Sequence, residues 1–290
     1  MNNKTLIVTN IIILVCIIIG LIWFMFWGFN LKFNFGGVDK KIIKTENFKI
    51  EDIKSIISDV KSYDLVLTEG KSDEVKVEFY SSDKNKNNLN IVNKNGALTV
   101  EQTGSSICFG FCNMDSEIII YVPSGFLGKI NFSSNSGDIE VLTDLLGSDY
   151  NIKTTSGDIA LGYLNTGKIR SISGSVSIDK GKYVDIATTS GDVIIDKLEE
   201  ASIKTVSGEI DINNLLSGGN FNTTSGDIEI NNFMIDKNTR FETTSGEIEI
   251  NLLNEALINV STVSGEKDIK SSYGEYKLDV KTVSGDVKIK

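Results

Sequence analysis

The sequence TTSGDIEI occupies residues 223–230, and TTSGEIEI follows 20 positions later at residues 243–250. Shorter copies read TTSGDI at residues 154–159 and TTSGDV at residues 188–193. A segment that recurs at a nearly fixed period is the signature of a repeat architecture, in which each copy forms one structural unit. These copies therefore decide the fold class before any other property of the chain is considered.

Alignment of the chain on the Ser-Gly dipeptide reveals nine repeat units, spaced 17 to 20 residues apart. The serines of these units, each followed by Gly, are Ser136, Ser156, Ser173, Ser190, Ser207, Ser225, Ser245, Ser264 and Ser284. Units of this size cannot bury an apolar face alone, so they are expected to stack along one axis. The sequence predicts an all-β fold, a single-stranded parallel β-solenoid of about nine rungs of 17–20 residues.

Three positions around each Ser-Gly are apolar in nearly every unit, namely the residue four before Ser and those three and five after it. The last two positions are two apart in the sequence, so their side chains share one face of a strand. Each unit is predicted to form two short strands hinged at Ser-Gly, with the apolar columns merged into one core. Lys267 is the one exception, and we expect a local bulge there or a side chain that reaches outward to water.

The corner between the two strands has its own conserved pattern of residue types from unit to unit. A Ser or Thr stands two residues before each repeat Ser, and we expect this column to face inward and form a ladder of hydroxyl hydrogen bonds. The Gly is expected to supply a positive φ for a sharp turn. The acidic residue after Gly is expected to accept hydrogen bonds from nearby backbone amides.

The same acidic column is the candidate ligand site of the sequence. Carboxylates stacked about 4.8 Å apart repel one another, and Ca²⁺ or a nearby Lys would relieve that repulsion. Ser175 interrupts the column, and the glycine-rich nonapeptide of known calcium-binding repeats is missing. The candidate cation ladder consists of Asp138, Asp158, Asp192, Glu209, Asp227, Glu247, Glu266 and Asp286.

The composition argues against several classes of function. Lys+Arg 29 against Asp+Glu 39 leaves a formal charge of −10, which does not suit a nucleic-acid partner. The chain contains no His, so imidazole-based catalytic triads and His-ligated zinc are missing. Solenoid enzymes that cleave polysaccharides need acids and bases clustered in a groove, yet Arg170 and Arg240 are the only arginines. We therefore expect neither catalysis nor a cofactor.

The N-terminal residues 1–30 are predicted to anchor the chain in a membrane. Residues 5–31 carry no charge, and about 22 apolar residues span the roughly 30 Å hydrocarbon layer as a helix. Trp23 and Trp27 would lie in the aromatic belt at one interface. The alternative is a cleaved signal peptide, although a small-residue cleavage site is not found. The bilayer contact is assigned to residues 5–29.

Residues 31–44 are predicted to be a linker, residues 45–125 a β cap or degenerate first rungs, and residues 126–290 the solenoid. The early strand patterns are YDLVL (63–67), EVKVEFY (74–80), ALTVEQ (97–102) and EIIIYV (117–122). SYDLVL resembles a degenerate copy of SGDIEI. Cys108 and Cys112 are expected either to form a small disulfide outside the cytosol or to remain buried thiols.

The unit of Ser284 is expected to form an open end of the solenoid. Its strand edge would carry Lys288 and Lys290. Unpaired strand edges either are protected by Lys or pair with another chain. The sequence therefore predicts an end that either is protected by these lysines or supports end-to-end self-association.

The run IIIYVPSGFLGKINFSSNSGDIEV (118–141), followed by T-[TV]-S-G-[DE]-[IV]-x-[IV] repeats, resembles the bacterial putative-adhesin family of β-strand repeat proteins. That family is a domain of unknown function related to the head GIN putative adhesins. The resemblance covers about residues 45–290 and transfers no catalytic residue. It implies a β-solenoid that is tethered at the bacterial envelope.

Two functions remain compatible with the sequence. The first is a membrane-anchored, non-catalytic surface or envelope module that binds an unknown partner in the manner of an adhesin. The alternative is a bactofilin-like scaffold that self-assembles at the membrane. We expect a single-pass membrane protein whose repeat domain lies outside the cytoplasm, although Lys32, Lys40, Lys41 and Lys44 after the span favour the opposite orientation by the positive-inside rule.

Overall fold

The structure is a computed structural model of the chain, and it describes residues 40–82, 88–104, 116–143, 149–270 and 273–290. The chain divides into two units, residues 1–39 and residues 40–290, and the described residues all belong to the second. Within these ranges, no helix is long and apolar enough to cross a membrane. The predicted span at residues 5–29 lies outside the described residues.

The described residues form strands, apart from one 3-10 turn at Ile50–Asp52 and the connecting loops. The first ten strands are β1 (Lys41–Lys49), β2 (Ser55–Val60), β3 (Asp64–Glu69), β4 (Glu74–Ser81), β5 (Leu89–Lys94), β6 (Ala97–Gln102), β7 (Ser116–Val122), β8 (Lys129–Ser134), β9 (Ile139–Val141) and β10 (Asp149–Thr154). The remaining strands are β11 (Ile159–Arg170), β12 (Val176–Ala187), β13 (Val193–Lys204), β14 (Ile210–Asn222), β15 (Ile228–Phe233), β16 (Thr239–Glu242), β17 (Ile248–Leu252), β18 (Leu257–Ser261), β19 (Lys267–Ile269), β20 (Lys277–Lys281) and β21 (Val287–Ile289). β1 begins inside the segment that the sequence assigned to a linker.

The repeat units stack as parallel rungs. β11, β12, β13 and β14 pair in sequence, and each residue lies opposite its equivalent in the next unit. Ile159, Val176, Val193 and Ile210 form one such row across the four strands. The nine Ser-Gly corners delimit about eight turns, so the fold is an all-β solenoid of about eight turns.

The apolar columns are packed inside the solenoid, as the alternation of the sequence predicts. From the unit of Ser136 to that of Ser245, the side chains of the three columns are at most 3% exposed. Phe221 and Phe241 occupy one column in adjacent rungs and stack with ring centroids 4.6 Å apart. Phe233 meets Phe241 edge-on at 6.0 Å. It belongs to a fourth apolar column, with Leu198 and Leu215, that the sequence analysis missed.

Glycine is required at the corners because successive rungs approach too closely for a side chain. A Cβ added to Gly208 would lie 2.1 Å from the carbonyl oxygen of Gly191, and the other repeat glycines meet a neighbouring rung in the same way. Among the described glycines, those with positive φ are Gly96, Gly104, Gly218 and Gly219, which lie outside the nine repeat corners. The expectation of a positive φ at Ser-Gly is therefore wrong.

Residues 45–122 contain both of the structures that the sequence left open. β2 and β3 pair in parallel with β8 and β9, and Leu65 lies opposite Ile139. SYDLVL is thus a degenerate rung, with Tyr63 at the glycine position. β6 and β7 form a further parallel level on the other side of it. β4 and β5 pair antiparallel with β7 and β6, and β1 pairs with β4, so these three strands cap the stack.

The last repeat of the chain is inserted between the two repeats that precede it. β20 pairs with β16 on one side and β18 on the other, and β21 lies likewise between β17 and β19. The rungs therefore follow one another in the spatial order Ser245, Ser284, Ser264. The expectation that Ser284 forms the open end, with Lys288 and Lys290 at its edge, is wrong.

Charge explains why this order is favourable. The Ser245 rung carries Glu247 and Glu249, and the Ser264 rung is also acidic at the matching positions. Direct contact would place like charges in neighbouring rungs, at a cost of about 1 kcal/mol per pair in water-like dielectric. Lys288 instead lies 3.7 Å from Glu247, and Lys290 pairs with Glu249. In the inserted rung Lys288 lies opposite both Glu249 and Asp268 and separates these two acids, whereas Asp286 lies at the position that matches Glu247 and Glu266.

Lys267, the exception in the apolar columns, lies on the terminal rung. Its pairing with Val287 continues regularly to Ile269 and Ile289, so the expected bulge is not present. The Lys267 side chain is exposed, and its Nζ donates to the carbonyl oxygen of Val260, 3.1 Å away. A charged residue is tolerated in this column because no further rung among the described residues covers it.

The corner packing predicts that Gly208→Ala destabilises the protein by about 1–3 kcal/mol or more, since the new methyl group must displace the Gly191 carbonyl. Thermal unfolding followed by circular dichroism measures the effect. Gly125→Ala is the matched control, because a Cβ at Gly125 meets nothing within 4 Å. Equal melting temperatures for the two variants would contradict the close-packed corner.

The inward and outward faces of β13 give a second prediction. Ile195→Asp should destabilise the protein by about 4 kcal/mol or more, because Ile195 is 1% exposed and its replacement would bury an unpaired carboxylate. Ile194→Asp places the same group one residue earlier, where the side chain is 52% exposed, and should change stability by about 0.5 kcal/mol or less. Urea unfolding of the two variants tests the difference, and a reversed ranking would show that the face assignment is wrong.

Candidate functional site

The predicted cation ladder lies on the solvent side of the Ser-Gly corners. Its eight carboxylates follow one another from rung to rung, except where Ser175 separates Asp158 from Asp192; seven are exposed and Asp286 is half-buried. The aspartates accept hydrogen bonds from the backbone amide of the next rung. Asp227 Oδ1 accepts from Glu247 N at 2.7 Å, and Asp158 Oδ1 accepts from Ser175 N at 2.8 Å.

This bonding continues into the degenerate rung, where Asp64 Oδ1 accepts from Asp138 N at 3.1 Å. Burial raises the pKa of Asp64, and the hydrogen bond from Asp138 opposes that shift. The predicted role of the acids as acceptors for corner amides is thus confirmed for the aspartates. No three acidic or cysteine side chains among the described residues converge as metal ligands. The cation ladder stays a prediction.

The hydroxyl column at the corners faces inward and bonds to corner backbone, as the sequence predicts. The Thr188 hydroxyl donates to the Gly191 carbonyl at 2.7 Å, and Gly208 N donates to the Thr205 hydroxyl at 2.9 Å. The hydroxyl oxygens of Thr188 and Thr205 lie 3.0 Å apart. Because these side chains are buried and bonded, they stabilise the corners and are not available to a ligand.

The side of the coil away from the Ser-Gly corners exposes a set of apolar side chains. The backbone amides of Met234 and Leu253 donate to the carbonyls of Leu215 and Phe233 in the preceding rungs. This register places the side chains of Leu216, Met234 and Leu253 in one outward column, here called the apolar stripe. Met234 is 48% exposed and Leu253 is 55% exposed.

A shallow groove of about 380 Å³ adjoins the apolar stripe. An ion pair between Lys237 and Glu200 and a hydrogen bond between the Ser217 hydroxyl and Asp236 hold residues along its walls. The groove is lined by Lys182, Tyr183, Glu199, Glu200, Leu216, Ser217 and Asp236. The groove therefore presents an aromatic ring, an apolar side chain and several charges on one rigid face.

A second groove, of about 310 Å³, lies on the face that follows the Ser-Gly corners. It is lined by Ser177, Ile178, Asp179, Ile194, Ile195, Asp196, Asp211, Asn213 and Asn231. The Asn213 amide donates to Asp196 Oδ1 at 2.8 Å, so part of its acidic wall is already bonded within the protein. The apolar side chains of the stripe are exposed to water, and contact with another molecule would bury them. The stripe is therefore the stronger candidate for a contact surface.

The sequence analysis did not find the apolar stripe. A signal was present, because Leu216, Met234 and Leu253 stand eight or nine residues after the Ser of their units. The units vary from 17 to 20 residues, and the variation falls on this side of the coil, so alignment on Ser-Gly loses register there. Cys108 and Cys112 lie outside the described residues.

Solved structures of bacterial proteins share this fold. A putative adhesin from Parabacteroides merdae has a TM-score of 0.52 at 14% identity, with 85% of this chain and 95% of that chain covered. A putative adhesin from Parabacteroides distasonis has a TM-score of 0.50 at 14% identity, with 87% and 98% covered. A putative adhesin from Bacteroides fragilis has a TM-score of 0.48 at 16% identity, with 87% and 98% covered.

The TM-scores of the two Parabacteroides proteins establish likeness of fold, and identities this low establish nothing about activity. A search of the curated proteins finds no match. The profile of the Toastrack DUF4097 family, by contrast, matches residues 53–290 and includes every rung of the solenoid. Since this match spans most of the chain, the protein belongs to the Toastrack DUF4097 family.

Proposed function

We propose that this protein is a non-catalytic binding module of the bacterial cell envelope, anchored in the membrane by residues 5–29. Its solenoid acts as a rigid rod, and the apolar stripe with its adjoining groove contacts the partner. The single observation that carries this proposal is the exposure of Met234 and Leu253 next to half-buried Leu216, in three consecutive rungs on one face.

The positions of apolar, hydrogen-bonded and exposed side chains in the solenoid support a binding role. The inward columns are apolar and packed, and the hydroxyls and aspartates at the corners are bonded to backbone. The lateral faces are therefore where the solenoid can engage another molecule. Glu199 and Asp236 flank the stripe, so a partner with an apolar centre and basic groups around it would fit best.

The membrane anchor is proposed from the length and apolar character of residues 5–29. The repeat domain is proposed to lie outside the cytoplasm, where an adhesin-like module meets its partner. The lysines after the span oppose this orientation, but long domains are translocated largely regardless of flanking charge.

The alternative function is a bactofilin-like scaffold that self-assembles at the membrane. It draws support from the terminal rung, β18–β19, which pairs with another rung on one side only in the described part of the chain. Its edge is nevertheless occupied by Lys267, a charge placed in an apolar column. We therefore favour the binding module.

The proposed location predicts that protease added to intact cells cleaves the repeat domain, because it would be exposed outside the membrane. Immunoblotting against a C-terminal tag measures the loss of the full-length band. A cytoplasmic protein in the same cells, which should stay intact, is the control for lysis. A repeat domain that is protected in intact cells and cut after permeabilisation would contradict an extracellular location.

The proposed contact surface predicts that Met234→Glu with Leu253→Glu weakens binding by about tenfold or more, because the variant buries charge in an apolar contact. The full chain in fluorescent vesicles is mixed with cells of the bacterium that produces it, and the retained fraction is measured. Ser202→Glu with Asn220→Glu adds the same charge to neighbouring rungs on another face and is the matched control. Equal retention of both variants would contradict the assignment of the stripe.

A further inference from the structure

The groove beside the apolar stripe lies where the rungs of the solenoid change size. The units of β12 and β13 contain 17 residues each, and the next two units contain 18 and 20. In the pairing of β13 with β14, two residues of β14, Leu216 and Ser217, face Glu199 alone. Such a β-bulge bends the strand and is common beside functional sites. The groove is therefore lined by shorter rungs on one side and by longer rungs on the other.

The wall formed by the longer rungs is held rigidly. Gly218 and Gly219 follow the bulge with φ of 151° and 149°, a conformation that other residues rarely adopt. A Cβ at Gly219 would lie 1.8 Å from the carbonyl oxygen of Ala201 in the preceding rung. The backbone amide of Asp236 donates to the Ser217 carbonyl at 3.2 Å, and the Ser217 hydroxyl donates to Asp236 Oδ1. The Asp236 carboxylate is thus fixed at the groove before any ligand arrives.

The groove presents an aromatic ring beside carboxylates. Tyr183 is 38% exposed and lies opposite Glu200 in the next rung. The charge of Glu200 is balanced by its ion pair with Lys237. Glu199 is exposed and, like Asp236, has no ion pair within the part of the chain that the structure describes. These two carboxylates are therefore available to a ligand.

The charge and the shape of the groove select a guanidinium group. The lining holds the two carboxylates without an ionic partner against one ammonium group, that of Lys182. A guanidinium is planar, so it can stack on the exposed ring of Tyr183 and donate hydrogen bonds in its own plane to a carboxylate. A lysine ammonium is more strongly hydrated and gains less in a shallow groove that stays open to water.

We propose that the groove is a docking site for an arginine side chain of a partner protein, carried on an extended segment that continues along the apolar stripe. The inference rests on the proposed binding function and names the chemistry of its partner. A cationic side chain also suits a chain whose formal charge is −10.

The spacing of the stripe defines the segment. Successive rungs are about 4.8 Å apart, so Leu216, Met234 and Leu253 lie about 5, 10 and 14 Å along the axis from the rung of Glu199. Side chains on one face of an extended peptide lie about 7 Å apart. With an arginine at the rung of Glu199, the side chain two residues away falls between Leu216 and Met234, and the one four residues away falls between Met234 and Leu253. The expected motif is an arginine with apolar residues two and four positions from it.

The test measures the binding of two blocked, fluorescein-labelled peptides, SRSLSLS and its reverse SLSLSRS, to the full chain in a mild non-ionic detergent. Fluorescence anisotropy gives the affinity. At least one of the two peptides is expected to bind saturably, and about tenfold or more tightly than the same peptide with lysine in place of arginine.

Variants of the groove separate the ring from the carboxylates. Glu199→Gln with Asp236→Asn should weaken peptide binding about tenfold and remove most of its dependence on salt, because the ionic contacts are lost. Asn at this position keeps the acceptor for the Ser217 hydroxyl. Tyr183→Leu should weaken binding about fivefold, because it removes the ring on which the guanidinium stacks.

Asp211→Asn with Glu229→Gln is the matched control, because it removes the same charge from the face that follows the Ser-Gly corners and should leave the affinity unchanged. The proposal is overturned if neither peptide binds, if the lysine peptide binds equally, or if the control weakens binding as much as the groove variant. In the assay of retention on cells, a loss with Met234→Glu and Leu253→Glu but not with the groove variant overturns this inference alone. Full retention of both variants overturns the proposed binding function as well.

Discussion

The fold depends on the close approach of successive Ser-Gly corners. The backbone of one corner lies against the carbonyl of the next, and a single methyl group at Gly191 would come within 2.0 Å of the Gly174 oxygen. This contact lets the strands on both sides of the corner pair in register, so that every apolar column is continuous. The inward hydroxyls and the aspartates after Gly satisfy the polar backbone groups that such a turn exposes.

A repeat that stacks with any copy of itself leaves the order of most rungs undetermined by packing alone. The Ser264 unit is the exception, because Lys267 replaces the Ile or Val of one inward column and stays exposed only if that unit is outermost. Electrostatics favours the observed order, because the lysines of β21 lie between acidic rungs. The hydrogen bond from Lys290 lowers the pKa of Glu249, which shows that the pair favours the ionised carboxylate. The insertion leaves the Lys267 rung outermost.

The interior and the exterior of the solenoid have different roles. Side chains at the corners and in the columns are constrained by their neighbours one rung away, which leaves little freedom for ligand chemistry. The lateral faces are less constrained, although bonds between rungs such as Ser217 with Asp236 occur there, and the unit length varies on one of them. The apolar stripe and its groove occur on the side where this variation falls. A rigid stack with one variable face suits a module that presents a surface to a partner, as we propose for this member of the Toastrack DUF4097 family.

The sequence by itself determined the parallel stack, the inward columns and the hydroxyl ladder, because each follows from a period of two within strands and about 17 to 20 between them. For SYDLVL it left both a degenerate rung and a β cap open. The reason why each corner contains glycine became apparent only in the structure, because the close approach between rungs is not visible within one unit. Only the tertiary structure decided the order of the last two rungs, the position of Lys267 and the apolar stripe. These features depend on which unit lies next to which. Lys267 and the apolar residues of the stripe are visible in the sequence, but they do not show which rung is outermost or how units of different length align.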